Sequence, residues 1–271
     1  MSPSTAEEIQ HIVERHAGLL LKPEKALSLA RRLGQRAQSL GEDLSRYLRA
    51  LPQRPQELAL LISLASNHET YFFRERAQLE AFQQLLPSLR EDKLSRGLRS
   101  IRVLSAGCAS GQEPYTLNIL LRESGLFEGF NILVVGIDID ARAIQEARKA
   151  VYGENSLRLS RPGAAFISRY FHHRQGRYVL KEPFREGVSF RVGNLLEAST
   201  YQGLSNLDFI FARNFFIYMA DWAIRQVAQH LYRCLSPQGW LFTATSEALH
   251  DKTPLFKLMH LPQGGLAYRR S

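Results

Sequence analysis

The chain has 271 residues, of which 45% are hydrophobic, so it can bury an ordinary core and is not expected to be disordered. It holds two cysteines, Cys108 and Cys234, which excludes a disulfide framework. The formal net charge of +9 favours polyanionic partners such as nucleic acid, an anionic membrane or an acidic protein surface. Charge alone does not choose among these partners, nor does it exclude a basic protein that has none.

The N-terminal sequence and the hydropathy of the chain bear on its compartment. Residues Met1 to Glu8 lack the basic start and apolar centre of a signal peptide, and no apolar run has the length of a membrane span. We therefore expect a cytoplasmic protein with no membrane insertion.

The first 89 residues predict an all-α helical bundle domain. Apolar residues recur at steps of three and four from Ile9 to Leu20 and again from Ala26 to Leu40. Pro23 is expected to begin the second helix and Gly41 to end it. Two shorter helices are predicted over Leu44 to Leu51 and Gln56 to Ala65.

Residues 90–271 alternate strand-like and helix-like segments, which predicts an α/β domain with a mostly parallel sheet. The predicted strands are Ile101 to Leu104, Ile132 to Ile137, Leu207 to Ala212 and Trp240 to Ala244. The predicted helices are Glu113 to Glu123, Ala141 to Val151 and Ala223 to Leu235. A small antiparallel β-subdomain is predicted over about residues 169–192, where Tyr178 to Leu180 and Val188 to Phe190 look like short strands.

A glycine-containing turn joins the first strand to the first helix of this domain. A side chain at Gly107 or Gly111 is expected to occupy the space of a bound ligand. The next strand ends at Asp138, whose carboxylate could accept hydrogen bonds from both hydroxyls of a ribose.

The spacing of this turn excludes two common nucleotide sites. The dinucleotide fingerprint would place glycines where Ala109 and Pro114 stand, and no Lys-Ser or Lys-Thr pair of a P-loop follows Gly111. The turn and the acid fit an adenosine without phosphate, as in S-adenosylmethionine. By itself the turn leaves open a purely structural role in strand-to-helix packing.

Five segments resemble, in order along the chain, the CheR family of chemotaxis receptor glutamate O-methyltransferases. They are Thr70-Tyr71-Phe72-Phe73-Arg74, Ser105-Ala106-Gly107-Cys108, Glu113-Pro114-Tyr115, Asn194-Leu195-Leu196, and Arg213-Asn214 with Ile217-Tyr218. The resemblance implies a Rossmann-like S-adenosylmethionine-dependent methyltransferase domain with a small antiparallel β-subdomain insertion, preceded by the helical bundle.

The resemblance also implies roles for individual residues. Glu113 would hold the methionine amino group, Asp138 the ribose, and Arg74 would lie beside the transferred methyl. The implied cofactor-binding residues are His68, Thr70, Arg74, Ala106, Gly107, Glu113, Asp138, Asn194, Leu195, Arg213 and Asn214. Catalysis is assigned to Arg74 and Tyr218.

Two positions depart from the family pattern. His68 stands where the family usually has asparagine, and Asn67 lies one position earlier. Gln112 replaces the first glutamate of the family's Glu-Glu-Pro, while Glu113, the acid expected to contact the ligand, is kept.

Structural alternatives remain for each of these residues on sequence grounds. Arg74 could pair with Glu69 or Glu75 on a surface helix, and Tyr218 could be a half-buried core residue. Asp138 could cap the helix that follows it. Phe72 and Phe73 are expected to pack in the core.

A chemoreceptor partner is expected to dock on the basic second helix, which carries Lys25, Arg31, Arg32 and Arg36. In the resembling family this helix faces the acidic helical cytoplasmic region of receptors. The alternative is that these basic residues form a solvated surface that binds no partner. The predicted β-subdomain is shorter than in relatives that grip a C-terminal receptor pentapeptide, so we expect no such tether.

Other functions are less well matched. A nucleic-acid methyltransferase would need an Asp/Asn-Pro-Pro-aromatic segment or a Pro-Cys nucleophile, and the sequence has neither. A cofactor-sensing scaffold and a small-molecule carboxyl methyltransferase also remain as alternatives. The histidines have no metal-ligand spacing, so no metal is assigned.

Overall fold

A computed structural model describes residues 3–158, 164–261 and 265–271. Within these ranges, none of the helices is long and apolar enough to cross a membrane.

The chain begins with the four predicted helices. They are α1 (Pro3–Ala17), α2 (Pro23–Ser39), α3 (Leu44–Ala50) and α4 (Pro55–Ala65). Pro23 and Pro55 stand at helix starts, where a missing N–H costs nothing, and the Asp43 side chain accepts a hydrogen bond from Arg46 N to cap α3. The apolar stripes meet in one cluster that includes Val13 and Leu33. The helical periodicity of the sequence therefore predicted this region correctly.

Helix α5 (Arg76–Ser95) belongs to the second half of the molecule. Its Phe82 ring packs edge-on, 4.8 Å between centroids, against Phe209 of the large sheet. Gln78 at its start donates a 2.8 Å hydrogen bond to Thr243 O. The boundary that the sequence predicts at residue 89 falls inside this helix, which the polar stretch after Leu89 does not interrupt.

A seven-stranded sheet forms the centre of the fold. Along the chain its strands are interleaved with helices and with a smaller sheet. The large-sheet strands are β1 (Ser100–Ala106), β2 (Asn131–Asp138), β6 (Val188–Val192), β7 (Leu207–Ala212), β8 (Leu235–Phe242), β9 (Phe256–His260) and β10 (Leu266–Arg270). The remaining helices are α6 (Gln112–Glu123), α7 (Ala141–Lys149), α8 (Ala164–Tyr170) and α9 (Asp221–Cys234).

The strand order is β6-β2-β1-β7-β8-β10-β9. The first five of these strands are parallel, while β10 runs antiparallel to both of its neighbours. Every residue of β7 is buried, as expected for a central parallel strand covered on both faces. The order reverses between β1 and β7, which opens a crevice at the carboxyl ends of the strands. This is a Rossmann-like arrangement, as predicted.

The small antiparallel sheet differs from its prediction. It consists of β3 (Val151–Tyr152), β5 (Arg177–Leu180) and β4 (Phe171–Arg174), in that order. Strand β6 is not part of it, because Val188 to Val192 pair in parallel with β2. The predicted range of 169–192 is therefore wrong at both ends. A short run such as Val188-Ser189-Phe190 has the same pattern in either sheet, so only its pairing shows to which sheet it belongs.

Candidate active site

A cavity of about 360 Å³ lies at the carboxyl ends of β1, β2 and β7 and is covered by residues of the helical bundle. The three strand ends supply Gly107, Asp138 and Arg213. The rest of the lining comes from the bundle (Ala17, Leu19 to Lys22, Lys25), the segment from Ala65 to Tyr71 with Arg74, and the loops that hold Cys108, Ala109, Glu113, Ile139, Asn194, Leu195, Asn214, Phe215, Tyr218 and Met219.

The two glycines of the turn after β1 have different roles. Both have positive φ, 73° at Gly107 and 89° at Gly111. A Cβ atom at Gly107 would lie 2.9 Å from the ring of Phe215, which is a cavity wall. A Cβ atom at Gly111 would lie 2.7 Å from Ala147 Cβ on α7, so Gly111 permits helix packing and does not make space for a ligand. The sequence-based interpretation of Gly111 was wrong in this respect.

Asp138 is held by the backbone on both of its carboxylate oxygens. Oδ2 accepts a 2.8 Å hydrogen bond from Ala109 N, and Oδ1 accepts one of 2.9 Å from Asp140 N. Burial raises the pKa of the Asp138 carboxyl above its ordinary value, and these N–H groups oppose that rise. The cap of α7 is Asp140, whose Oδ1 accepts from Arg142 N. The alternative of Asp138 as a helix cap is thereby excluded.

Glu113 is the centre of a charged network. Its Oε1 accepts a 2.7 Å hydrogen bond from Ser105 Oγ, and its Oε2 accepts one of 2.6 Å from Arg213 Nε. Only 2% of the Arg213 side chain is exposed, so its charge depends on this partner. Arg213 also donates to Arg74 O over 3.0 Å and thereby connects the network to the segment before α5.

Glu247 was not identified from the sequence. Its Oε2 accepts hydrogen bonds of 2.8 Å from Asn214 N and 2.9 Å from Ala244 N, and its Oε1 accepts one of 3.3 Å from Ile217 N. The loop after β8 thus fixes the loop that carries Asn214 and Tyr218. Burial raises the pKa of Glu247, against the opposing effect of these N–H donors. The sequence around it has no motif that would have signalled this role.

The segment from Asn67 to Glu75 forms the side of the cavity away from the sheet. Phe73 and Glu75, on either side of Arg74, both adopt φ of 58°, which costs about 1–2 kcal/mol for each non-glycine residue. Phe73 N donates to Thr116 Oγ1 over 3.1 Å. The Asn214 side chain donates to Glu75 Oε1 over 2.7 Å. Contacts with α6 and with the loop after β7 therefore maintain this strained backbone.

Arg74 lies in the middle of that strained segment. Its Nη1 donates a 2.6 Å hydrogen bond to Glu69 O, and its guanidinium lies 5.6 Å from the centre of the Tyr71 ring. The bond goes to a backbone carbonyl, and the Glu69 carboxylate is instead 2.8 Å from Arg158. Arg74 precedes α5 and lines the cavity, so the alternative of a surface-helix ion pair is not what the structure contains.

The bundle is joined to the site by backbone pairing. Leu20 N donates to Tyr218 O over 2.7 Å, and Ala220 N donates to Gly18 O over 2.8 Å, around a bridge between Leu19 and Met219. The Asn194 side chain donates to His16 O over 2.7 Å. Sequence patterns did not indicate this contact, because the bundle residues that cover the cavity are ordinary leucines and lysines.

The cavity contains nearly every residue assigned from the family resemblance. His68, Thr70, Arg74, Gly107, Glu113, Asp138, Asn194, Leu195, Arg213, Asn214 and Tyr218 all line it. Ala106 does not: it is fully buried at the end of β1, within the core, because its side chain points into the sheet packing. Phe72 is fully buried between Tyr152 and Phe171, as predicted.

The basic helix is only partly available for a partner. Lys25, Arg31, Arg32 and Arg36 are all exposed. Arg36, however, donates two hydrogen bonds to the Glu57 carboxylate, of 3.1 and 2.7 Å, and Tyr47 adds a third of 2.6 Å. These bonds, that from Arg36 foremost, lower the pKa of Glu57 to about 2. Arg36 therefore already has an anionic partner within the bundle, which makes it less available to an external one.

The chemistry of the cavity fits S-adenosylmethionine. Each oxygen of Asp138 and Glu113 has a second lone pair, available to ribose hydroxyls or to an ammonium group. Leu195, Phe215 and Ile139 provide apolar walls for a purine. The glycine turn, the strand-end carboxylate and the switch-point crevice together define the cofactor domain of an S-adenosylmethionine-dependent methyltransferase.

Comparison with known families agrees with this class. Residues 68–264 match the family described as CheR methyltransferase, SAM binding domain. The chain therefore belongs to the CheR methyltransferase family, and S-adenosylmethionine is its cofactor.

Curated relatives are similar over most of the chain. The probable biofilm formation methyltransferase WspC of Pseudomonas putida is 36% identical over 85% of this chain and 53% of its own length. Chemotaxis protein methyltransferase 2 of Vibrio cholerae is 33% identical over 74% of this chain and 69% of its own. Chemotaxis protein methyltransferase 1 of Pseudomonas aeruginosa is 29% identical over 95% of this chain and 94% of its own length. The chain thus spans about half the length of the WspC protein it matches.

Proposed function

We propose that the protein transfers a methyl group from S-adenosylmethionine to glutamate side-chain carboxylates of a chemoreceptor-type signalling protein, in adaptation of chemosensory signalling. The observation that carries this proposal is the composition of one cavity. Arg74 and Tyr218, a cation and a hydroxyl donor, line the same space as the two carboxylates Glu113 and Asp138. The names of the relatives, in chemotaxis and in biofilm formation, support a chemosensory role.

The reaction asks little acid–base chemistry of the protein. When bound, S-adenosylmethionine supplies a methyl group on a positively charged sulfur. The acceptor glutamate is already ionised at neutral pH, so no general base is required. The task of the chain is to align the acceptor and to exclude water, since the opposite charges of the carboxylate and the sulfonium neutralise each other as the methyl group is transferred.

Arg74 and Tyr218 are suited to hold the acceptor. The guanidinium can bind the acceptor carboxylate through charge-assisted hydrogen bonds, and the phenol can donate another. Glu113 is proposed to hold the cofactor's amino group and Asp138 its ribose. His68, Thr70, Gly107, Asn194, Leu195, Arg213 and Asn214 are proposed to complete the cofactor site.

The partner is proposed to be the acidic helical cytoplasmic region of a receptor, and the compartment the cytoplasm. Lys25 both lies on α2 and lines the cavity, so the basic helix continues into the reaction site. Arg32, about two turns after Lys25, lies on the same face of α2, and Arg31 is proposed to dock beside it. We propose no pentapeptide tether and no nucleic-acid substrate. Tight binding of an isolated C-terminal receptor pentapeptide, measured by calorimetry, would contradict the first of these.

The experiment uses methyl-labelled S-adenosylmethionine and the cytoplasmic helical fragment of a receptor from the same cell. Mild base releases methanol from glutamyl methyl esters, so label that becomes volatile identifies the acceptor. Arg74→Ala is expected to lower kcat/KM for the receptor fragment by about 100-fold, because the acceptor carboxylate loses one charge-assisted hydrogen bond that binds and aligns it. Cofactor affinity, measured by calorimetry, should change much less.

Arg76→Ala is the matched control. Arg76 stands two residues further on, and its side chain is 88% exposed and paired with Glu80. It should retain wild-type turnover. Cofactor binding without base-labile label on the receptor would contradict the acceptor assignment, and DNA and RNA would then be tested as substrates with the same label.

A further inference from the structure

Asn67 connects the segment before α5 to the loop that carries Tyr218. Its Nδ2 donates a 2.8 Å hydrogen bond to the Tyr218 hydroxyl, across 151 positions of sequence. Both residues line the cavity. This asparagine lies one position before the site where the family pattern has one, so no motif assigned it a role.

The orientation of the Asn67 amide follows from a second bond. Its Oδ1 accepts a hydrogen bond of 3.3 Å from Glu69 N. The oxygen is thus directed at a backbone donor, and the nitrogen must face the phenol. The Tyr218 oxygen is therefore the hydrogen-bond acceptor in this pair, because a side-chain amide nitrogen can only donate.

This arrangement decides where the phenol proton can go. A hydroxyl that accepts from Asn67 still has its own proton to donate, and that proton must point away from the amide. Tyr218 and Arg74 line the same cavity, so an acceptor carboxylate brought in beside Arg74 can receive this proton. A donor to the phenol oxygen also polarises the O–H bond and strengthens it as a hydrogen-bond donor.

Asn67 is itself held in place. The neighbouring His68 Nε2 lies 3.0 Å from Asp140 Oδ2, at the N-terminus of α7. Tyr218 is fixed independently by the bond from Leu20 N to its carbonyl oxygen. Both ends of the Asn67–Tyr218 contact are therefore anchored to different parts of the fold.

We propose that Asn67 is a positioning residue for the methyl transfer, which orients the Tyr218 hydroxyl so that its proton faces the acceptor carboxylate. This inference rests on the proposed function, since it gives Tyr218 an acceptor to bind. It assigns to Asn67 no contact with the cofactor.

A double-mutant cycle on the full chain tests the proposal. Asn67→Ala should lower kcat with the receptor fragment by about fivefold to tenfold, the effect of one hydrogen bond, and leave S-adenosylhomocysteine affinity unchanged. In a Tyr218→Phe background the same substitution should change kcat by less than about twofold. Asn67→Asp keeps the shape but replaces the donor by an acceptor, so its kcat should fall at least as far as that of Asn67→Ala.

A spectroscopic measurement separates positioning from a general structural effect. The NMR signal of the Tyr218 Cζ carbon, assigned by its disappearance in Tyr218→Phe, should shift in Asn67→Ala without cofactor or receptor present. Equal losses of kcat in both backgrounds, an unmoved Cζ signal, or wild-type turnover by Asn67→Asp would each overturn the proposal. If the wild-type protein itself forms no base-labile ester, the proposed function fails and this inference fails with it; an active wild type with additive losses overturns the inference alone.

Discussion

The two sides of the cavity are built by different means. On the sheet side, Asp138 and Glu113 are fixed by backbone N–H groups and by neighbours at the ends of buried strands. On the opposite side, Arg74 lies between two left-handed non-glycine residues, and Tyr218 depends on contacts with Asn67 and Leu20. We therefore expect substitutions of Asp138 and Glu113 to affect mainly cofactor binding, and substitutions around Arg74 and Tyr218 to affect mainly acceptor positioning.

The largest effect is expected on the sheet side, from Glu113→Ala. The substitution leaves the Arg213 guanidinium buried without its closest partner, which should lower the free energy of unfolding by about 3–5 kcal/mol. Urea denaturation measures the loss, and calorimetry should find cofactor binding abolished. Glu113→Gln keeps an acceptor oxygen and should lose clearly less stability; equal losses for the two variants would contradict a role for the hydrogen bond.

The next largest effect is expected from a substitution near Tyr218, and it should change KM for the receptor fragment without changing cofactor affinity. Leu20 is 46% exposed, lines the cavity and pairs through its backbone with Tyr218. Leu20→Glu places an anion beside the acceptor carboxylate and should raise KM for the receptor fragment by about tenfold, with S-adenosylhomocysteine affinity unchanged.

Leu40→Glu is the control for this substitution. Leu40 is 43% exposed at the end of α2, outside the cavity lining. A similar rise in KM for both variants would contradict the assignment of Leu20 to the acceptor side.

A pH dependence distinguishes the two sides further. Because burial raises the pKa of Asp138, the carboxylate takes up a proton at a higher pH than an ordinary aspartate. Protonation removes acceptor capacity for ribose hydroxyls, so S-adenosylhomocysteine affinity should fall as the pH is lowered, and the fall should begin at a higher pH than the ordinary pKa of an aspartate would give. Asp138→Asn should bind more weakly and lose this dependence, and an equally steep profile in that variant would rule Asp138 out as the titrating group.

The smallest effects are expected on the basic helix, where substitutions of Arg32 and of Arg36 should have different effects on KM. Arg32→Ala should raise KM for the receptor about twofold to threefold at low salt, and the difference should diminish as salt is added. Arg36→Ala should leave KM unchanged and lower the stability of the bundle slightly, because Arg36 holds Glu57.

The ion pair between Arg36 and Glu57 also predicts how the stability of the bundle depends on pH. The pKa of Glu57 is lowered in the folded state, so its contribution to stability is present above the ordinary glutamate value and is lost as the pH falls towards about 2. Thermal melts of the wild type and of Arg36→Ala should therefore converge at acidic pH. Identical KM increases for Arg32→Ala and Arg36→Ala would contradict the distinction between the two residues.

Local patterns were sufficient for the bundle helices, for the central strands and helices of the α/β domain and for much of the site, but they did not predict α8, β3, β4, β9 or β10. The first two bundle helices follow from three- and four-residue periodicity, and β7 from a short run that is apolar except for Asp208. Gly107 and Asp138 follow from the turn and strand-end acid, because both lie within one strand–turn–helix–strand unit. The family resemblance added Arg74, Glu113 and Tyr218, which local chemistry alone would have left as surface or core residues.

The sequence-based predictions were wrong where a contact between distant segments determines the local structure. Strand β6 could belong to either sheet until its pairing with β2 was known, and α5 was divided because its polar end resembles a linker. Gly111 has the backbone conformation expected, but its neighbour is Ala147 of α7 and not a ligand.

The sequence by itself determined the bundle helices, the strands β1, β2 and β7, the cofactor turn and the strand-end acid, because each depends on residues close together in the chain. The tertiary structure decided that bundle residues cover the cavity, that Glu247 and Asn67 hold the loops around Tyr218, and that Arg36 is already paired. These are side-chain contacts between distant segments, and no periodicity or spacing along a single chain specifies which distant donor will meet which acceptor.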